Sequence, residues 1–146
     1  MHPNDPNNVE CASEEFGSCK IILRSYRNIF CIHNELGRYC REKQYGDRLE
    51  LLLREAKFEF SRAVDLSSFG HSLVKGNRAD FVVDNKIVVD LKTKPVITKE
   101  DYNQMQRYLK GSWLELGLIV NFRNKYLKPK RVLNIERFHS DNSDRL

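Results

Sequence analysis

Apolar positions along the 146-residue chain change period several times, and each change marks an element. From residue 17 to about 43, Ile22, Tyr26, Ile29, Ile32 or His33 and Leu36 recur three and four apart, which predicts an amphipathic helix with a weak point at Gly37. Leu49, Leu52 and Leu53 predict a second helix from about Gln44 to Ala56. The period then drops to two, with Phe58, Phe60 and Val64 alternating with polar residues, and a strand is expected over Lys57 to Leu66. Residues 67–77 read as a polar loop. Residues 78–92 read as a β-hairpin, closed off by Lys94-Pro95 because proline cannot donate to a ladder. Thr98 with Asp101 three residues on has the form of a capping box, opening a helix to about Lys110 with Gly111 as its stop. Leu116 to Phe122 is an unbroken apolar strand, expected to be central and buried on both faces. Lys130 to Arg137 predicts a last strand with Val132 and either Leu133 or Ile135 inward. The order helix, helix, strand, hairpin, helix, strand, strand points to an α/β fold: one mixed sheet flanked by helices on two sides. A single domain over 17–139 is expected, with residues 1–16 as a disordered leader and 140–146 as a frayed tail.

The hairpin concentrates the chemistry. Alternation puts Asp90 and Lys92 on one face of the second strand, while Phe81, Val83, Ile87, Val89 and Leu91 turn toward a core. For both apolar sets to share that core, Phe81 must pair with Val89. This register leaves Asp84-Asn85-Lys86 as a three-residue loop with Asn85 in the left-handed region, and it sets Asp80 opposite Asp90. Two carboxylates about 5 Å apart at Cβ repel unless a proton or a metal neutralises them. Taken alone, the same pattern also describes an edge hairpin with a polar, solvated outer face. In the helix after it, Tyr102, Met105 and Leu109 form a core stripe. Gln104 and Tyr108, four apart, can meet a phosphate or a carboxylate, or else Tyr108 fills the core edge and Gln104 is solvated.

Charge adds direction. The net +5 is uneven: residues 86–131 hold 11 Lys/Arg against 4 Asp/Glu, so the positive excess follows the hairpin, where a polyanion would have to lie. No apolar run approaches the roughly 20 residues of a membrane span, and the N-terminus lacks the pattern of a signal peptide. A cytoplasmic protein with reduced thiols at Cys11, Cys19, Cys31 and Cys40 is therefore expected. Those cysteines are too widely spaced for a compact iron–sulfur run. No glycine-rich phosphate loop is present, which argues against ATP hydrolysis.

Together these pieces resemble the PD-(D/E)XK nuclease superfamily, and within it the small, RecB-like bacterial proteins of the GxxExxY family. The likeness runs from about Ile32 to Val132 through Glu35-Leu36-Gly37, Glu42, Tyr45, Arg78-Ala-Asp-Phe81, Val89-Asp-Leu-Lys92, Gln104 to Lys110, Leu116 to Phe122, and Lys130-Arg-Val132. It implies a restriction-endonuclease-like mixed sheet flanked by helices. It implies that Asp80, Asp90 and the Leu91 carbonyl hold Mg²⁺ or Mn²⁺, and that Lys92 orients or activates water and stabilises charge on the phosphate. It implies an acidic helix residue, Glu42, near the metal, and Gln104 and Tyr108 supporting site and substrate as a Gln-x-x-x-Tyr pair. Two positions depart from the family pattern: Tyr39 stands at the glycine of the signature, and Asp90 stands where glutamate is usual, shorter by one methylene.

The expected function is metal-dependent hydrolysis of phosphodiester bonds in DNA. The alternatives are a catalytically silent nucleic-acid-binding or protein-interaction module on the same fold, and a hydrolase of nucleotides or other phosphate esters. Small members of the superfamily often dimerise, so a homodimer is compatible with the likeness.

Overall fold

The computed structural model describes residues 17–65 and 78–137. The expected leader, the polar loop at 67–77 and the tail at 140–146 lie outside them. The elements are α1 (Gly17–Leu36), α2 (Glu42–Glu55), β1 (Phe60–Asp65), β2 (Arg78–Val83), β3 (Ile87–Lys92), α3 (Lys99–Ser112), β4 (Leu116–Asn121) and β5 (Lys130–Leu133). The strands form one sheet in the order β1-β2-β3-β4-β5. Only β3 and β4 run parallel, joined by the crossover through α3; the other neighbours are antiparallel. This is the mixed α/β sheet with helices on both faces that the element order called for.

Two cores hold the layers together. On one face, Phe81, Val83, Ile87, Val89 and Leu91 pack with Ile29 and Ile32 of α1 and Tyr45, Leu49 and Leu53 of α2. On the other, Val82, Val88 and Ile119 pack with Met105, Tyr108 and Leu109 of α3. Each large apolar side chain fully buried here contributes about 1.5–3 kcal/mol. The hairpin's second face is therefore covered by α3, and the solvated-edge alternative falls. Phe81 pairs with Val89 and Val83 with Ile87, leaving the three-residue loop at 84–86. Both Asp84 and Asn85 adopt left-handed backbone there, at φ 50° and 53°. Asp84 fastens the loop to β1's approach: its N–H donates to the Glu59 carbonyl at 2.7 Å, and its Oδ1 accepts the Glu59 N–H at 3.0 Å.

Several boundaries differ from expectation, beginning with β1, which starts at Phe60 rather than Lys57, and α2, which starts at Glu42 rather than Gln44. The first helix stops at Leu36 rather than near residue 43, with Gly37 at φ 75°. The Tyr45 hydroxyl explains the stop: it donates to the Gly37 carbonyl at 2.6 Å and accepts the Cys40 N–H at 3.2 Å, replacing helical bonds with a fixed turn. Gly111 does not end α3 but is buried in its last turn; Trp113, at φ 57°, makes the end. A glycine cap is not needed because Asn134 donates to the Leu109 and Leu114 carbonyls and Arg137 to the Trp113 carbonyl. β5 closes at Leu133, and the chain turns helical at 135–137. Val132 is inward as expected, whereas Leu133 and Ile135 are exposed and Asn134 is the buried residue.

Candidate active site

β3 places a carboxylate where strands normally carry only apolar groups. It is hydrogen-bonded on both edges and covered on both faces, and Asp90 within it is 5% exposed. Its neighbour across the hairpin is Asp80 on β2. The ladder between these strands runs as far as the Phe81–Val89 pair. Beyond it the Asp80 Oδ2 accepts the Leu91 N–H at 2.7 Å, where a ladder would otherwise continue. Since the Lys92 carbonyl faces β4 and accepts the Phe122 N–H at 3.0 Å, the adjacent Leu91 carbonyl turns toward β2 and the Asp80 side.

The same place is marked on β1. Ala63, which would lie opposite Asp80, has φ 54° and is skipped between the Arg62–Phe81 and Val64–Ala79 pairs. Left-handed backbone costs a residue with a Cβ about 1–2 kcal/mol. Here it accompanies a change of face, with Phe60 packing on the α1–α2 side and Val64 on the α3 side. A cleft of about 240 Å³ opens beside this break, lined by Glu42, Lys43, Gly46, Arg62, Ala63, Asp80, Phe81 and Leu91.

Lys92 ties the pieces together. Its Nζ lies 2.9 Å from Asp90 Oδ2, donates to Gln104 Oε1 at 2.7 Å, and is 4.0 Å from Asp101 Oδ1. Burial alone would pull its pKa down. The hydrogen bond to Asp90 and the charges of Asp90, Asp101 and Glu42 outweigh that, so its pKa lies above the ordinary value. Asp90 moves the other way for a carboxylate: burial first, then its hydrogen bond with Asp80, raise it to about 7 against the opposing effect of Lys92. Desolvation and the Asp90 charge raise Glu42, with Lys92 opposing. Tyr108 is raised to about 12 by burial and by the charges of Asp90 and Asp80, partly offset by its hydrogen bond to Gln104.

Two helices hold these groups in register. α3 begins with the expected capping box, in which Asp101 Oδ2 accepts the Thr98 N–H at 2.7 Å and the Thr98 hydroxyl at 3.0 Å. Asp101 also takes Lys94 Nζ at 2.9 and 3.1 Å, and against its burial these contacts hold its carboxyl below the ordinary value. Asn121, on β4, clamps the end of β3 through both Lys94 backbone groups, accepting the N–H at 3.2 Å and donating to the carbonyl at 2.7 Å. α2 starts at Glu42 and is fixed by the ring of Tyr45 stacked on Phe122, 4.1 Å between centroids.

Of the residues singled out in the sequence, Asp80, Asp90, Lys92, Gln104 and Tyr108 thus meet under α3, and Glu42 reaches the same group across the cleft. Asp101 was visible only as a cap, and Arg62 and Asn121 were not visible at all. Arg62 reads as one polar residue in an alternating strand. Its partners, Asp47 and Glu50, lie on another element.

A family model of the PD-(D/E)XK nuclease superfamily matches residues 20–137. The chain belongs to the PD-(D/E)XK nuclease superfamily. Comparisons with curated proteins and with solved structures gave no match. The sheet and flanking helices described above are consistent with the restriction-endonuclease-like fold of that superfamily. Among the described residues no helix is long and apolar enough to cross a membrane.

Members of the superfamily typically use divalent metals, so the fit of this site to one matters. Among the described residues no group of three or more His, Cys, Asp and Glu is placed to hold a metal ion by side chains alone. A magnesium-like ion does not need such a group, since it takes one or two carboxylates and completes its shell with water and substrate phosphate. Asp80 and Asp90, in hydrogen-bond contact and with Asp90 unwilling to ionise, are a donor pair that a hard cation would relieve.

Proposed function

We propose that the protein is a nuclease that hydrolyses phosphodiester bonds in DNA with Mg²⁺ or Mn²⁺ bound by Asp80, Asp90 and the Leu91 carbonyl. The observation that carries this is the buried Asp90 joined at once to Asp80 and to Lys92 at 2.9 Å. A purely binding module has no use for two carboxylates forced together at such a cost. When bound, the divalent ion would offset charge on the phosphate and make a water more acidic.

The chain's own groups divide the remaining work. Lys92 is held as a cation between Asp90 and Gln104, so it acts by stabilising negative charge that builds on the phosphoryl oxygens and by orienting the attacking water. Glu42 stands across the cleft with a raised carboxyl, suited to accept a proton from water or to hold it through a hydrogen bond. Gln104 fixes the Lys92 ammonium, and Tyr108 closes the site against solvent while its hydroxyl holds Gln104. The landmarks around Glu42 and Tyr45 support placing the chain with the GxxExxY proteins.

The test is cleavage of plasmid and single-stranded DNA by purified protein in Mg²⁺, Mn²⁺ or EDTA, beside an Asp80→Ala variant. Cleavage that needs the metal and falls at least about 100-fold in the variant is expected. Cleavage unaffected by EDTA would exclude the mechanism, and binding with no cleavage under any metal would favour the silent module.

A further inference from the structure

At the end of the sheet where Lys92 lies, two exposed tyrosines carry cations over their rings. Tyr39, in the turn between α1 and α2, is 77% exposed. The guanidinium carbons of Arg38 and Arg123 lie 5.2 and 5.9 Å from its ring centre. Arg38 Nε donates to the Arg123 carbonyl at 2.8 Å, which fastens the turn to the β4–β5 loop. Further along that loop Tyr126 is 71% exposed with Lys125 Nζ 5.5 Å from its ring. Among the described residues neither Arg38 nor Arg123 takes part in an ion pair. Neither tyrosine belongs to a core cluster.

The position of this surface ties it to the site. Tyr39 precedes Glu42 by three residues, so their Cα atoms are at most about 11 Å apart. Arg123 follows Phe122, whose N–H is bonded to the Lys92 carbonyl. That span corresponds to about three nucleotides at a stacked rise of 3.4 Å. An exposed ring with guanidinium groups that lack an ionic partner over it suits one ligand chemistry: an unpaired base stacked on the ring or on a guanidinium plane, with its phosphates on the cations. A duplex would offer the phosphates but keep its bases inside, leaving the ring unused.

We propose that Tyr39, Arg38 and Arg123 form a base-stacking platform that holds an unpaired nucleic-acid strand on its way to the Asp80–Asp90–Lys92 site, with Tyr126 and Lys125 as a second step. The link to catalysis rests on the nuclease assignment; the binding surface does not. The experiment is a fluorescence-anisotropy titration of a labelled single-stranded DNA oligonucleotide, and of its duplex, in EDTA so that binding is read without turnover. Tyr39→Ala is expected to weaken single-strand binding about 5- to 100-fold, the range of one lost base–aromatic stack, and to leave the duplex within about twofold, as phosphate contacts alone would. Tyr39→Trp is expected to restore the single-strand affinity. Unchanged single-strand affinity in Tyr39→Ala, an equal loss on duplex, or no binding of the single strand by the wild type would overturn the platform. Single-strand binding that depends on Tyr39 in a protein that never cleaves would uphold the platform and remove the nuclease. Metal-dependent cleavage with binding indifferent to Tyr39 would do the reverse.

Discussion

Asp90 and Lys92 owe their properties to one another and to the lack of water around them. The Asp90 carboxyl, raised to about 7 by burial and then by Asp80, is protonated in the fold at pH values where it is ionised in the unfolded chain. Its contribution to stability is therefore fully present below about pH 4 and is lost as the pH rises through about 7. In EDTA the melting temperature is expected to fall between about pH 4 and pH 7, by an amount corresponding to at most about 4 kcal/mol. Asp90→Asn should flatten that slope; an equal slope in the variant would assign it to other groups. Adding Mn²⁺ at pH 8 should raise the wild-type melting temperature and leave Asp90→Asn nearly unmoved. The pairing of Asp80 with Asp90 was legible because a one-residue slip would have turned Phe81 and Val89 to opposite faces. The Lys92–Asp101 approach was not, because it depends on where α3 crosses the sheet.

At the scale of elements, α2 and α3 are positioned by contacts that no local pattern announces. Arg62 bridges Asp47 at 2.7 Å and Glu50 at 2.8 Å, and its guanidinium lies 5.5 Å from the ring centre of Phe81, the neighbour of Asp80. Gly46 makes room for it, since a Cβ there would meet Arg62 Nη2 at 2.7 Å. Arg62→Ala should cost about 1–2 kcal/mol in a denaturant melt and loosen α2 together with Glu42. Arg62→Lys, which keeps the charge without the fork, should recover only part. On the opposite face Gly117 lets α3 rest on β4, because a Cβ at that position would collide with Met105 Sδ. Gly117→Ala should lose about 1–3 kcal/mol, and a Met105→Val background should relieve part of that, giving non-additive double-mutant melts. Periodicity disclosed every strand and the two cores' helical stripes. It missed the ends of α1 and α3 because side chains beyond them in the chain, Tyr45, Asn134 and Arg137, take over the terminal backbone groups there, and that of β5 because Asn134 turns inward to do so.

For the molecule as a whole, residues 86–131 carry an excess of positive charge, and the exposed Tyr39 with Arg38 and Arg123 lies at the end of the sheet where β3 finishes at Lys92. Raising salt should therefore weaken DNA binding steeply and roughly uniformly across sequences. In the proposed mechanism Asp80 and Asp90 bind the metal while Lys92 performs chemistry beside it. The most direct measurement is a pairing of Mn²⁺ titration calorimetry with single-turnover DNA cleavage on wild type and Lys92→Ala. Lys92→Ala is expected still to bind Mn²⁺ but to cleave at least about 100-fold more slowly. Cleavage by Lys92→Ala at the wild-type rate would contradict that mechanism.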